Sequence, residues 1–313
     1  IRPARVRMPV AHGLAVDLSF LRPIVVGREE HPGMVELKVH NRADKRTENT
    51  IKLEAEPSAG IILPGGRSLA LGLEPGEERT ERCPLALDPD YEKAVSRIRI
   101  RTGGTGVQPE ESESIVEYAI PRLGGLQAVE RVASALSREM RLPVRGLARN
   151  TRPGYFGDVS LAVAGEYLAL YGLIRDPEPS VGDMLWNGSC VEVFCAPPDA
   201  ERIGEVFGGI EVAQVYLLPA CEGNPALGLR QEDNTQVEVP GIRVATGPAE
   251  AGYELQALIP LSIMGIAPES EQFLFEMQAT TMTGAEGGTN RGTLFGSSTA
   301  FNDTSRYALA RVV

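Results

Sequence analysis

Apolar and polar residues alternate with a period of two through the first third of the chain. Val35, Leu37 and Val39 alternate with polar neighbours, and the same pattern returns within 51–55, 69–73, 83–87 and 98–100. This period places successive side chains on opposite faces of a strand, which is typical of half-buried antiparallel strands. Turn residues separate these segments. Residues 1–120 are therefore predicted to form a small β-sandwich.

A second β-rich region follows a polar, Gly- and Glu-rich loop at 103–114 and a linker at 121–125. The spacing of Val129, Val132 and Leu136 predicts a short helix within 127–140. From Gly157 the alternation resumes, in the segments 159–163, 167–174, 191–194, 212–218, 242–245, 253–259, 273–280 and 307–312. Residues 121–313 are therefore predicted to form a second sandwich, and the expected fold class is all-β, with two antiparallel β-sandwich domains.

Composition supports this division and narrows the function. The chain has 313 residues and 42% hydrophobic residues, enough for two cores. Its net charge of −11 argues against binding to nucleic acid or to anionic membranes, and no run of 18 apolar residues occurs. All lysines and histidines precede residue 101. The four cysteines, Cys83, Cys190, Cys195 and Cys221, lack the spacing of a zinc site.

The most informative segment surrounds Trp186, the only tryptophan of the chain. It opens a turn, Asn187–Ser189, that leads into a strand in which Val191 and Val193 alternate with Glu192. An indole at the start of a strand and a carboxylate a few residues further along form a pairing that suits a sugar ring. The apolar C–H face packs on the aromatic ring while the acid accepts hydrogen bonds from hydroxyls.

The second region resembles the family 9 carbohydrate-binding modules, and four segments carry the resemblance in the order of the family. These segments are 167–177, ending in Asp176-Pro177; 186–194; 252–260, beginning Gly252-Tyr253; and 301–309, containing Asn302-Asp303-Thr304-Ser305. The first region, through its strands and the turn at 73–77, more generally resembles the immunoglobulin-like domains appended to bacterial glycoside hydrolases.

The resemblance implies a binding site. Trp186 and Phe301 would form an aromatic clamp, and polar side chains would contact the sugar hydroxyls; these are Glu192, Gln214, Gln278 and Ser298. Gln214 would take the place of an arginine of the family. The family also often carries structural calcium, whose ligands the sequence does not assign, and no other cofactor is expected.

The prediction that follows is non-catalytic binding of an oligo- or polysaccharide by the second domain. The resemblance places it in a secreted, periplasmic or cell-surface bacterial protein, with catalytic domains as possible attachments. One alternative is a pair of structural or docking modules with a degenerate sugar site. A glycoside hydrolase using Asp183 and Glu192 is a second alternative. Heme binding is disfavoured because the second domain has no His or Lys to pair with its methionines.

Overall fold

The computed structural model describes residues 13–26, 32–55, 61–63, 68–87, 96–136, 141–146, 154–182, 185–199, 213–219, 227–230, 236–237, 241–282, 289–296, 300 and 304–313. Strands dominate these residues, which confirms the all-β prediction. Two compact units are distinguished. The first contains the described residues of 13–24, 32–87 and 97–115, and the second contains Val25–Val26, Ser96 and those from Val116 onward.

The first unit consists of two four-stranded antiparallel sheets, ordered β1-β3-β7-β5 and β6-β4-β8-β9. Their strands are β1 (Leu14–Arg22), β3 (Gly33–Asn41), β4 (Thr47–Ala55), β5 (Ile61–Ile62), β6 (Ser68–Leu73), β7 (Glu78–Leu87), β8 (Arg97–Gly103) and β9 (Glu111–Ile115). The alternate residues Leu37 and Val39 of the first sheet, and Leu53 and Ile100 of the second, are fully buried. The predicted period of two therefore produces the core of this unit.

The second unit contains fifteen strands in one connected sheet. They are β2 (Val25–Val26), β10 (Glu117–Ile120), β11 (Arg122–Leu123), β12 (Leu142–Gly146), β13 (Tyr155–Ala164), β14 (Tyr167–Ile174), β15 (Cys190–Ala196), β16 (Ala213–Leu217), β17 (Leu227–Arg230), β18 (Gln236–Val237), β19 (Arg243–Ala249), β20 (Gly252–Pro260), β21 (Gln272–Met282), β22 (Thr289–Thr293) and β23 (Ala308–Val312). The main path runs β18-β17-β16-β15-β21-β22-β12-β13-β14-β20-β19.

Three pairings in this sheet are parallel and depart from the antiparallel expectation. β10 pairs with both β2 and β23, and β11 pairs with β13. The sequence interpretation ended the first domain at residue 120, after β10. In the structure β10 belongs to the second unit, because its backbone forms hydrogen bonds with β23 near the end of the chain.

The predicted helix within 127–140 is shorter in the described residues. A 3-10 turn, Val129–Arg131, leads into the five-residue helix α1 (Val132–Leu136). Val132 and Leu136 are fully buried against Ala162 of β13, Ala169 of β14 and Leu258 of β20. No helix among the described residues has the length and apolar character needed to cross a bilayer.

Candidate functional site

Five residues are cross-strand partners on neighbouring strands of the second unit. Glu192 on β15 lies opposite Tyr216 on β16 and opposite Gln278 on β21. Gln278 lies opposite Thr293 on β22, which in turn lies opposite Arg145 on β12. Residues directly opposite in an antiparallel pair point to the same face. These five residues, here called the polar row, therefore share one face of the sheet.

The other face of the same strands is apolar. Val191 and Val193 of β15, Val215 of β16 and Met277 of β21 are buried, with at most 1% exposure. They alternate with the polar row because side chains point to alternate faces along a strand. The apolar core thus fixes the face on which Glu192 and Gln278 stand, which is the local reason these polar side chains gather on one face of the sheet.

Gln214 joins the polar row through its side-chain amide. Its Nε2 donates a 2.7 Å hydrogen bond to Glu192 Oε2 and another 2.7 Å bond to the hydroxyl oxygen of Tyr216. An amide nitrogen has two N–H groups, so both are used. Gln214 Oε1 is buried and accepts no hydrogen bond from the described residues. This oxygen is therefore an unused acceptor among the described residues.

The polar side chains at this site are almost fully removed from solvent. Glu192 is 2% exposed, Gln214 3% and Gln278 0%. Burying an amide or carboxylate costs free energy unless hydrogen bonds replace water. The site is thus a desolvated polar cluster inside an otherwise apolar layer, rather than a solvated surface patch.

Trp186 stands beside this cluster, in the 3-10 turn Leu185–Asn187 that precedes β15. Its half-buried ring lies 6.3 Å from the ring of Tyr216, centroid to centroid, at an interplanar angle of 45°. Leu185, Cys190 and Leu218 complete the apolar surroundings of this aromatic pair. The structure therefore brings Trp186 next to the hydrogen-bonding network of Glu192 and Gln214 through Tyr216.

Hydrogen bonds and close packing hold the Trp186 turn in place. Ser189 donates its backbone N–H to Ser180 O, and Ser180 donates its own N–H to Ser189 Oγ. A Cβ on Gly188 would lie 2.2 Å from the backbone nitrogen of Gly182. The two segments of this loop therefore approach too closely for a side chain at position 188. Gly188 and Ser189 are thus required by the fold of the loop.

Two residues of this site were not identified from the sequence. Tyr216 is one, although its spacing of two from Gln214 on a predicted strand was a usable signal. Arg291 on β22 is the other; its Nη2 lies 3.9 Å from Glu192 Oε1 and its Nε donates to Thr280 Oγ1. The family's arginine was assigned to Gln214, whereas a guanidinium reaches Glu192 from a different strand.

A carboxylate orders the end of β22. Glu276 on β21 is fully buried, and its oxygens accept hydrogen bonds from the backbone N–H groups of Leu294 and Phe295. The predicted site residues Ser298 and Phe301 lie outside the described residues, as does Asp183 of the glycosidase alternative. Glu276 holds the last described turn before them.

Burial also raises the pKa values of an acid and of two thiols near the site. Burial, followed by the charge of Glu192, raises the pKa of the Cys190 thiol, and burial raises that of Cys195. Both thiols are free. Burial raises the pKa of the Asp176 carboxyl as well, partly offset by the Ser189 hydroxyl and the backbone N–H of Met282. In the described part of the chain, no three His, Cys, Asp or Glu side chains gather into a metal-binding group.

Comparison with known proteins gives structural neighbours only. No family model matches the chain, and no curated protein matches it. A family 9 carbohydrate-binding module from Caldicellulosiruptor kristjanssonii in complex with cellotriose covers 63% of this chain and 93% of its own, with 14% identity and a TM-score of 0.45. A family 9 module from the same organism in complex with glucose covers 61% of this chain and 95% of its own, at 14% identity and a TM-score of 0.42. These two neighbours are carbohydrate-binding modules, and scores this low carry no argument about the ligand of this chain.

Proposed function

We propose that the second unit binds a carbohydrate without catalysing its cleavage, at Trp186 and the adjoining Glu192–Gln214–Gln278 cluster. The observation that carries this proposal is the hydrogen-bonding state of Gln214. Both of its N–H groups are committed to Glu192 and Tyr216, which leaves Oε1 as a buried acceptor. A hydroxyl group is a donor of suitable size and polarity for that oxygen.

The surroundings of the cluster suit a sugar ring better than a purely polar ligand. Trp186 offers an indole face tilted over Tyr216, and C–H faces of sugars pack on such rings. Glu192 and the amide of Gln278 add acceptors and donors on the same face. Because these groups are already desolvated and held by the sheet, a ligand that bonds to them loses little free energy in ordering them.

The proposal extends to residues and context outside the described structure. Phe301 would be the second aromatic of the clamp and Ser298 a further hydroxyl partner. The protein would act as a secreted, periplasmic or cell-surface module, attached to catalytic domains of a bacterial carbohydrate-active protein. The first unit would be an immunoglobulin-like spacer. We propose no cofactor; structural calcium, which the family resemblance implies, has no ligand group assigned.

Fluorescence and calorimetry test the binding proposal directly. Because Trp186 is the only tryptophan, its emission should change on titration with a panel of oligosaccharides that includes cello-oligosaccharides, and calorimetry should give the same dissociation constants. Trp186→Ala and Glu192→Gln should abolish the calorimetric signal. Glu254→Gln is the matched control, since Glu254 stands on β20 and bonds to Gln256, and it should bind as the wild type does.

A second candidate function is favoured by the near-complete burial of the polar cluster. A structural or docking module could use the Glu192–Gln214 bond to specify the packing of the sheet rather than to contact a ligand. In that case Trp186 emission stays constant across the glycan panel, and Glu192→Gln lowers stability only. That pair of results would contradict the carbohydrate proposal.

A further inference from the structure

The solvent-accessible part of the candidate site lies on its rim. Glu192 and Gln214 are at most 3% exposed, whereas Trp186 is half-buried and the loop beside it, residues 180–182, is largely exposed. A ligand that packs on the Trp186 ring is therefore bordered by this rim loop. The side chains that are exposed here are the ones that can distinguish one glycan from another.

The rim loop packs directly on the turn that carries Trp186. A Cβ on Gly182 would lie 2.4 Å from the backbone oxygen of Asn187. A Cβ on Gly188 would lie 2.9 Å from the carbonyl carbon of Val181. Contacts this short occur only where two backbone segments run side by side without intervening side chains. Together with the two serine hydrogen bonds described above, they fix Val181 and Asn187 on adjacent segments.

Val181 is an exposed apolar side chain beside this turn. At 40% exposure it is one of three exposed large apolar residues in the described part of the chain. The others, Leu21 and Val313, lie in the first unit and after the last strand. Val181 is therefore distinguished by its place next to Trp186 rather than by exposure alone. Sugar ring faces pack on aromatic rings, whereas a small branched aliphatic side chain suits a methyl group.

Asn187 supplies a hydrogen-bonding group at the same rim. It ends the 3-10 turn Leu185–Asn187 and is exposed, and its side-chain amide has no hydrogen-bond partner among the described residues. The amide offers two N–H donors and one acceptor oxygen. Neither Asn187 nor Val181 is charged, so the matching ligand group is neutral. An apolar contact and an amide donor match the two parts of an acetyl group, its methyl and its carbonyl oxygen.

We propose that Val181 and Asn187 form a subsite for an acetyl group on the glycan whose ring is bound at Trp186. The methyl packs on Val181, and Asn187 Nδ2 donates a hydrogen bond to the acetyl carbonyl oxygen. The ligand class is then an acetylated oligosaccharide, either an ester or an acetamide, since both carry the same methyl and carbonyl. This inference rests on the proposed carbohydrate binding and adds the substituent of the substrate to it.

One oligosaccharide backbone in three forms tests the subsite. Calorimetry compares cello-oligosaccharides, the same oligosaccharides acetylated at C6, and chito-oligosaccharides of equal length, which carry an acetamido group at C2 of each ring. We expect an acetylated form to bind roughly tenfold more tightly than the unmodified form, because burial of a methyl and one hydrogen bond contribute about threefold each. The tighter of the two acetylated forms identifies the ester or the acetamide as the preferred group.

Two substitutions separate the two contacts. Val181→Thr keeps the shape of the side chain and replaces one methyl by a hydroxyl, while Asn187→Asp keeps the size and replaces the donor by an acceptor. Each variant should lower the ratio of acetylated to unmodified affinity by about threefold. The matched control is Val313→Thr, the same substitution at a more exposed valine, and it should keep the full ratio.

The outcomes separate this inference from the proposed function. Equal affinity for acetylated and unmodified forms, or an unchanged ratio in either rim variant, overturns the acetyl subsite while carbohydrate binding at Trp186 still holds. Loss of all binding in Trp186→Ala, together with a lowered ratio in both Val181→Thr and Asn187→Asp, supports both. The absence of binding to every form refutes the proposed function and this inference together.

Discussion

Gln214 Nε2 lies 2.7 Å from Glu192 Oε2 and 2.7 Å from the hydroxyl oxygen of Tyr216, so one amide nitrogen connects two neighbouring strands. Because a carboxylate can only accept hydrogen bonds, the nitrogen of this amide must face Glu192. The amide orientation is therefore determined, and Oε1 must point away from both partners. The local chemistry of the candidate site follows from this one side chain.

Replacing Gln214 by Leu and by Glu should have different pH dependences. Gln214→Leu removes the donor to the buried Glu192 carboxylate, which should cost about 1–3 kcal/mol of unfolding free energy. Gln214→Glu instead places a second carboxylate against the first, so one of the two carboxyls acquires a raised pKa. Its folded state then binds more protons than its unfolded state, and stability falls as pH rises. Denaturant unfolding between pH 4 and pH 8 measures both effects.

The test is how the loss of unfolding free energy in each variant, relative to the wild type, changes with pH. The destabilisation of both variants relative to the wild type should grow with pH, and that of Gln214→Glu should grow more steeply, because it adds a second charge where Gln214→Leu only removes a donor from Glu192. Parallel pH profiles for the two variants would show that Glu192 and residue 214 are not in contact in the folded protein.

The sequence was sufficient to predict what depends on local periodicity. Alternation around Val191 and Val193 predicts that Glu192 occupies the opposite face of β15, and the structure agrees. The contacts of Arg291 with Glu192 depend on β22 pairing with β21, a register that one strand pattern does not encode. The same holds for β10, whose own alternation does not reveal its remote partner β23. The contact of Arg291 and the assignment of β10 to the second unit therefore both depend on pairing between strands that are far apart in sequence.

Gly157 should tolerate no side chain. It has φ of 140°, and a Cβ there would lie 2.0 Å from the backbone oxygen of Leu173 on β14. Gly157→Ala should therefore displace β13 from β14 and lower the unfolding free energy by several kcal/mol, measured by denaturant unfolding. Gly296 has φ of 86° with open space around it, so Gly296→Ala should cost only about 1–2 kcal/mol of backbone strain. Equal losses in the two variants would contradict the close packing at Gly157.

A charge ladder on β8 and β9 should stabilise the first unit in a manner that depends on pH and salt. Burial raises the pKa of Glu113, but hydrogen bonds from Arg97 and Arg99 outweigh it and hold the pKa below its usual value. The folded state therefore binds fewer protons, and the contribution is present at neutral pH and lost as pH falls through the acidic range. Because the groups are partly exposed, Glu113→Gln should cost only about 0.2–1 kcal/mol at low salt. Thermal unfolding at low and high salt measures it, and a loss that is unchanged in high salt would point to packing rather than charge.

Tyr155 should make the second unit sensitive to alkali. Burial, the hydrogen bond of its hydroxyl to Asp158 and the charge of Asp158 raise its pKa from 10.0 to about 12, so between these values the folded state keeps a proton that the unfolded state releases. The contribution of Tyr155 to the free energy of unfolding is then fully present below pH 10 and decreases as pH rises towards 12. Tyr155→Phe removes this proton, so its unfolding free energy should fall less steeply over that interval than that of the wild type. Absorbance of the tyrosinate should likewise show one late-titrating tyrosine fewer in the variant than in the wild type. Tyr167→Phe is the control, since Tyr167 lies beneath Arg243 as Tyr155 lies beneath an arginine, and it should retain the late titration.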